Sequence, residues 1–402
     1  MSFNAYYILI FLSGVVIISY MFDLLARGTK VPSAVMLLAT GIGLQFVCKY
    51  FNVPLPPMDR YLQLFGIIGL ILIVLEGTLD LELRRDKVPM ILKSLATALF
   101  TLFTSSFAIA FLIHWWINVP FQSCLVNAIP MAITSSAIAI PSVASLHKSK
   151  SEFIVYEVTF SDILGIMMFD FAIANTHVDS NAFLNFGRDL GLIIAISLVC
   201  CVLFIFFMER IQHHIKFFLI ISLLVLVYSI GKTMNLSSLI LILVFGIAIN
   251  NHKLYIRGKL TKFLRVEKIQ SELEQLKMIT GESAFLIRTF FFIIFGYSIH
   301  LDVLMNTNVV LIGACIIGII LIVRLVYLPF ISRSNLFPAA FIAPRGLVTI
   351  LLFYNIPPQF AIPEFGAGIL FFVVLSSLII MMMALLVNYT PKNIAEIIEE
   401  QL

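Results

Sequence analysis

Charge is what this chain has least of. Asp, Glu, Lys and Arg make up 12% of its 402 residues, while 61% are apolar; soluble domains usually carry about one-quarter charged residues. That balance excludes an ordinary soluble enzyme. The polar linkers that would divide a soluble chain of this length into domains are missing too, so a single membrane domain over residues 1–402 is expected. Cysteine is sparse and unpatterned. Cys48, Cys124, Cys200, Cys201 and Cys315 lie in or beside apolar runs, with no Cys-x-x-Cys or Cys/His spacing, so neither a disulfide framework nor a zinc site is indicated. No basic tract suggests nucleic acid. The formal net charge of +4 comes from Lys and Arg placed between apolar runs, where it speaks of membrane orientation. The first run, from Ala5 to Ala26, lacks a positive n-region and an Ala-x-Ala site, and reads as a retained span.

What the chain does have is a succession of apolar runs. A bilayer core needs roughly 20 apolar helical residues, and about thirteen runs of that order emerge. They begin near Ala5, Pro32, Tyr61, Val88, Phe121, Glu152, Asp189, His213, Ser237, Ser283, Thr307, Leu336 and Phe365. They show no alternating period and are too long for strands, which argues against a β-barrel. The fold expected is therefore an all-α, polytopic membrane protein. With the N-terminus outside, Arg84, Arg85, Lys87, Lys148, Lys150, Arg210 and Lys216 fall in cytoplasmic connectors. Only Lys49, Arg60, Arg188 and Lys232 fall opposite, so the positive-inside rule selects a cytoplasmic C-terminus. The longest connector, about 252–280, carries Lys253, Arg257, Lys259, Lys262, Arg265 and Lys268 with Ile256, Leu260, Phe263, Leu273 and Leu276 at helical spacing. It reads as a basic amphipathic helix on the inner membrane surface, or as a solvated linker between two halves.

An ionised side chain near the bilayer centre costs several kcal/mol on most scales, so the few that occur there are functional candidates. They are Glu76, Glu157, Asp162, Arg288 and Arg324. Asp162 lies about 12 residues into its helix, on the order of 18 Å deep at 1.5 Å per residue. Glu157 stands five positions earlier, about 140° around the helix, so the two acids need not share a ligand. A Glu157 ion pair with Arg324 or Arg288 is the simplest relief for both charges. Asp162 would then be left to alternate between a proton and a cation, because monovalent metal ions of the sodium type prefer oxygen and burial favours a protonated carboxyl. A plain helix-to-helix hydrogen bond is the bland alternative. Glu76 is near the cytoplasmic end of its span, where it either faces the ion or snorkels.

Two further stretches are irregular for mid-membrane helix. Thr134-Ser135-Ser136-Ala137-Ile138-Ala139-Ile140-Pro141 offers three hydroxyls and a proline, tolerable only where neighbouring protein satisfies the freed backbone. Arg345, between Pro344 and Gly346, marks either a second broken helix or a kink with a buried Arg. Fifth and twelfth in order, the two fit an inverted repeat of about six spans per half, repeat 1 near 5–177 and repeat 2 near 213–390. The seven histidines sit near span ends or in connectors and receive no role.

These residues resemble the monovalent cation/proton antiporters, specifically the sodium/proton branch that carries an Asn-Asp pair, over nearly the whole chain. Leu75-Glu76-Gly77-Thr78-Leu79 is similar to that branch's Phe-Glu-Gly-Gly-Leu. Tyr156-Glu157-Val158-Thr159-Phe160-Ser161-Asp162 keeps both acids of Gly-Glu-Ser-x-x-Asn-Asp at their spacing. The resemblance implies Asp162 as the ion- and proton-binding carboxylate, with Ser161, Glu76, Thr134 and Ser135 beside it. It implies Glu157 as a structural acid paired with Arg324, and Arg288 and Arg345 in support. It further implies a homodimer, an elevator-like core containing spans five, six and twelve, and no cofactor beyond the transported Na⁺ or K⁺ and H⁺. Ser161 replaces the branch's Asn, Val158 replaces an oxygen-bearing Ser, and Thr134-Ser135-Ser136 replaces Thr-Asp-Pro in the manner of potassium-efflux relatives. Electroneutral Na⁺/H⁺ exchange in a bacterial inner membrane is therefore the reading, with K⁺/H⁺ exchange as the alternative. A channel would want a continuous polar path, and a membrane-embedded enzyme a nucleophile or metal constellation. Neither pattern is present in the sequence.

Overall fold

A computed structural model describes residues 5–29, 31–51, 59–79, 81, 83, 85–143, 146–175, 180–210, 216–233, 238–252, 266–298, 301–332 and 337–387. Among them the regular structure is helical throughout. The α-helices are α1 (Ala5–Thr29), α2 (Ser33–Tyr50), α3 (Asp59–Leu79), α4 (Val88–Ile117), α5 (Phe121–Ala132), α6 (Ser136–Val143) and α7 (Lys148–Ala174). They continue with α8 (Ser180–Arg210), α9 (Lys216–Thr233), α10 (Ser238–Asn250), α11 (Val266–Ser298), α12 (Thr307–Ser332), α13 (Leu347–Tyr354) and α14 (Ala367–Val387).

Counting α5 with α6 as one interrupted crossing, and the short 3₁₀ turn Ala339–Phe341 with α13 as another, the helices fall on the runs read from the sequence. Among the described residues, seven stretches are long and apolar enough to cross a bilayer, including α4, the α5–α6 segment, α11, α12 and α14. The interrupted α13 crossing and α7 are not in that set, because α13 is short and α7 carries Glu152, Glu157, Asp162 and Asp170 along one helix. The polarity that lowers the membrane signal of α7 is the polarity the site uses.

Local sequence explains the main starts and stops. Pro89 occupies the first turn of α4, where a missing N–H goes unnoticed, and the helix ends at Asn118 in the left-handed region at φ 58°. Pro130 lies inside α5 and Pro141 inside α6, so this crossing is short of two backbone donors before any break is made. After α5 the chain turns extended at Ile133 (φ −69°, ψ 131°). In the other interrupted crossing Pro344 disfavours helix at Ala343, and α13 restarts only after Gly346.

The helices pack as two bundles. One gathers α1, α2, α3, α8, α9 and α10 around α11; the other gathers α4, α5, α6, α7, α12, α13 and α14. The bundles meet where α13 and α6 approach α3 and α11, and where α7 approaches α10. The connector over about 252–280, read as a surface helix or as a linker between two halves, is described only in part. Lys253, Ile256, Arg257, Lys259, Leu260, Lys262, Phe263 and Arg265 lie outside the described residues, as do Arg84, His213 and His214. From Val266 onward the connector is no separate element: it is the first half of α11, continuous to Ser298, with Leu273 and Leu276 buried. A helix with an apolar stripe in its first half and an apolar second half gains more by packing as one rod than by bending along a surface.

In the first bundle α2 and α11 approach backbone to backbone. A β-carbon on Gly41 would run into the backbone carbonyl of Ile293, and one on Gly296 into that of Leu38. Small residues that let helix backbones touch are a main source of helix association in membranes. Gly41→Val is expected to lower stability by about 1–3 kcal/mol through overpacking, read as a lower thermal midpoint of the detergent-purified protein. Gly14→Val, where nothing lies within 4 Å, is expected to leave that midpoint unchanged.

Candidate functional site

The site is an exchange of backbone partners. In an unbroken helix the N–H groups of Ser135 and Ser136 would be donated to the carbonyls of Met131 and Ala132, four residues back. Here Ser135 N–H is donated to Pro344 O of the other interrupted crossing (2.8 Å) and Ser136 N–H to Asp162 Oδ2 of α7 (3.1 Å). Thr134 N–H goes to Ser161 Oγ at 3.0 Å. The abandoned carbonyls are taken by Arg345, whose Nε donates to Met131 O (2.8 Å) and whose Nη2 donates to Ala132 O (3.0 Å). Its Nη1 donates to Ala343 O at 2.6 Å, and its own N–H is accepted by Ser377 Oγ at 2.9 Å. The broken helix thus ends on a guanidinium and restarts on a carboxylate, the two charge signs that its end dipoles favour.

Asp162 is 6% exposed and Arg345 1%. One carboxylate oxygen of Asp162 is anchored; the other, Oδ1, is buried and has no hydrogen-bond partner, and neither has the buried Ser135 Oγ. Buried polar atoms are rarely left in that state. Gly346 keeps the crossing open, since a β-carbon there would press on Ser135 Oγ and on Ile138. Unpartnered carboxylate and hydroxyl oxygens are hard donors, the kind that a proton or a monovalent alkali cation takes. The site residues therefore fit such a cargo.

Four other membrane charges form two pairs. Arg324 grips Glu157 with both amino groups, Nη1 to Oε1 at 2.6 Å and Nη2 to Oε2 at 3.1 Å. It also donates to Ala340 O and Ala339 O, both at 3.1 Å. Of the two arginines the sequence left open for Glu157, Arg324 is the partner. Arg288 instead donates through Nη2 to Glu76 Oε2 at 3.0 Å and through Nη1 to Ala137 O at 2.7 Å. The structure thus brings Asp162, Ser161, Thr134 and Arg345 to one crossing and sets Glu157–Arg324 and Glu76–Arg288 apart as two pairs. Sequence reasoning missed Ser136 and Ser377 as partners. Ser136 was legible as the first residue after the break, whereas Ser377 sits in a run with no signal.

Among known proteins, the family model for the sodium/hydrogen exchanger, transmembrane, matches residues 13–387, and the chain belongs to that family. It is an integral, multi-pass membrane protein that carries out cation/proton antiport rather than an enzymatic reaction. No curated protein sequence matches the chain. Two solved structures of the sodium proton antiporter MjNhaP1 from Methanocaldococcus jannaschii are similar to it in fold. The one at pH 8 gives a TM-score of 0.68 at 19% identity, covering 93% of this chain and 98% of that one. The structure from an EM map gives 0.66 at 19% identity, covering 97% and 100%.

Removing one partner of a buried ion pair strands the other, at about 3–5 kcal/mol. Glu157→Gln is expected to lower the stability of the purified protein by that order in thermal unfolding, and Glu157→Gln with Arg324→Gln to recover part of the loss. Losses that add in the double variant would argue that the pair is not coupled.

Proposed function

We propose that the chain exchanges Na⁺ for H⁺ by alternating access, with Asp162 as the single carboxylate for which the two cargoes compete. The observation that carries this reading is the division of labour within that carboxylate: Oδ2 is held by Ser136 N–H while Oδ1, buried, has no partner. A proton or a cation bound at Oδ1 fills it in turn without dismantling the anchor. Ser135 Oγ, and the lone pair that Ser161 Oγ retains while accepting from Thr134, are the nearest candidates for further cation ligands. Glu76, which accepts from Arg288 at Oε2, is retained as a further candidate carboxylate for the cation.

Charge counting supports an electroneutral cycle. Around the broken crossing Glu157 and Arg324 cancel, as do Glu76 and Arg288, leaving Asp162 and Arg345. With a proton or with Na⁺ the buried core then carries the same net charge, so both loaded forms cross the membrane field on equal terms. We further propose that the two inverted halves, near 5–177 and 213–390, move the α5–α6–α7–α13 core against the α11 bundle. A homodimer in a bacterial inner membrane, N-terminus outside and C-terminus cytoplasmic, follows from the family resemblance and the distribution of Lys and Arg. Potassium remains the second reading, favoured by Ser135-Ser136-Ala137-Ile138 in place of an acidic crossing.

The test is cation-driven dequenching of a pH dye in vesicles. Sodium is expected to collapse the proton gradient with the native chain and not with Asp162→Asn, and the rate is expected to be unchanged when a potential is imposed. Activity retained by Asp162→Asn would refute the site assignment. A potential-dependent rate would refute the one-for-one cycle, and potassium outcompeting sodium would shift the reading to K⁺/H⁺ exchange.

A further inference from the structure

Half-helix α6 contains a second backbone vacancy, distinct from the break. The Ala137 carbonyl would normally accept from the N–H of residue 141, and residue 141 is proline. That carbonyl is instead bonded by Arg288 Nη1 at 2.7 Å, and the same guanidinium is held by Glu76 at 3.0 Å. Glu76 is on α3 and Arg288 on α11, both in the first bundle, whereas Ala137 is one residue beyond the Ser136 amide that anchors Asp162. The bond therefore crosses between the bundles at the residue next to the site.

Beside it lies a cavity of about 520 Å³ between α1, α2, α6 and α11, lined by Asp23, Ala34, Leu37, Ser142, Arg288 and Phe292 among others. It exists with the bond in place. Any displacement of α6 relative to α11 must stretch the 2.7 Å contact and leave the Ala137 carbonyl with no donor, since Pro141 supplies none. Hydrogen bonds to a charged group are among the stronger ones in a protein, and a buried acceptor without a partner is disfavoured.

We propose that Arg288, steadied by Glu76 and seated on the carbonyl that Pro141 leaves open, is a latch that holds the carrier in the conformation with this cavity open. The proposal rests on the alternating-access reading and adds a positioning residue to it. Arg288 acts through α6, without touching the cargo. The proline is part of the device, because restoring an N–H at residue 141 gives Ala137 an internal partner and relieves it of Arg288.

The experiment uses the full chain with its five native cysteines replaced and Ala34→Cys introduced as a reporter on the cavity wall. Labelling by a small cationic methanethiosulfonate is followed in proteoliposomes for the parent, Arg288→Gln, Pro141→Ala and the double variant. Each single change is expected to slow labelling on the order of tenfold, the population shift that loss of one such bond brings, and the double is expected to be no slower than the stronger single. Unchanged labelling in both singles, with parent-like melting temperatures, would overturn the latch, as would a double variant whose effects multiply. Should Arg288→Gln fail to fold, Pro141→Ala, which leaves the Glu76–Arg288 pair intact, decides the question by itself. Labelling does not depend on transport, so failure of the exchange reading shows in the Asp162→Asn vesicle assay and failure of the latch shows here.

Discussion

A helix broken inside a membrane must find new partners for the backbone groups it gives up, and the arrangement around Asp162 follows from that obligation. Lipid offers no donors or acceptors, so each N–H and C=O released between Ala132 and Ser136 has to be met by protein. Ser135 and Ser136 turn their amides to Pro344 O and Asp162, and Arg345 collects the carbonyls they leave behind. Neither charge is an ornament on the fold. Take away Arg345 and the end of α5 faces its own unpaired carbonyls; take away the carboxylate and the start of α6 keeps an unpaired amide.

The same obligation explains why only part of Asp162 is committed. A carboxylate has about four acceptor positions, and capping α6 uses one. Glu157, by contrast, is gripped on both oxygens by Arg324, which is itself spent on Ala339 O and Ala340 O. Two acids five residues apart on α7 thus have opposite chemistry for a geometric reason: they face different neighbours around one helix. Glu157 ties α7 to α12 and the turn before α13. Asp162 ties α7 to α6 with one oxygen and leaves the other without a hydrogen-bond partner. A helix that is fixed at one acid can present the next with little reorganisation.

Much of the fold was legible because bilayer thickness is a strong constraint on run length, and the runs beginning near Val88, Phe121, Thr307 and Phe365 coincide with helices. The two interruptions were legible too, since hydroxyls beside Pro141 and an arginine between Pro344 and Gly346 are unusual in apolar segments and recur at matching places in the order of spans. The partner of Glu157 was not, because spacing places Arg288 and Arg324 at suitable depths and cannot say which helix lies beside α7. The packing of the connector's second half was not legible for a related reason. Residues 266–280 have the stripe of a surface helix, and only the packing of Leu273 and Leu276 against the bundle reveals that the stripe faces protein. Ser377 carried no pattern at all; its role comes from being opposite Arg345.

Prolines complete the picture, and they act by subtraction. Pro141 removes one donor from α6, so that the carbonyl of Ala137 becomes available to a side chain from the other bundle. Elsewhere this boundary has the character of a sliding surface: Leu347 and Leu351 of α13 lie over Gly69 and Gly66 of α3, and Met167 of α7 packs with Ile193, Ile240 and Leu241. Apolar contacts of that kind lose little when one face shifts along the other, because dispersion is non-directional and each contact is weak. A guanidinium on a carbonyl is directional and cannot be exchanged for a neighbour half a turn away. A boundary that is smooth over most of its area and pinned by a directional bond has one preferred register, and here the bond from Arg288 to the Ala137 carbonyl sets it.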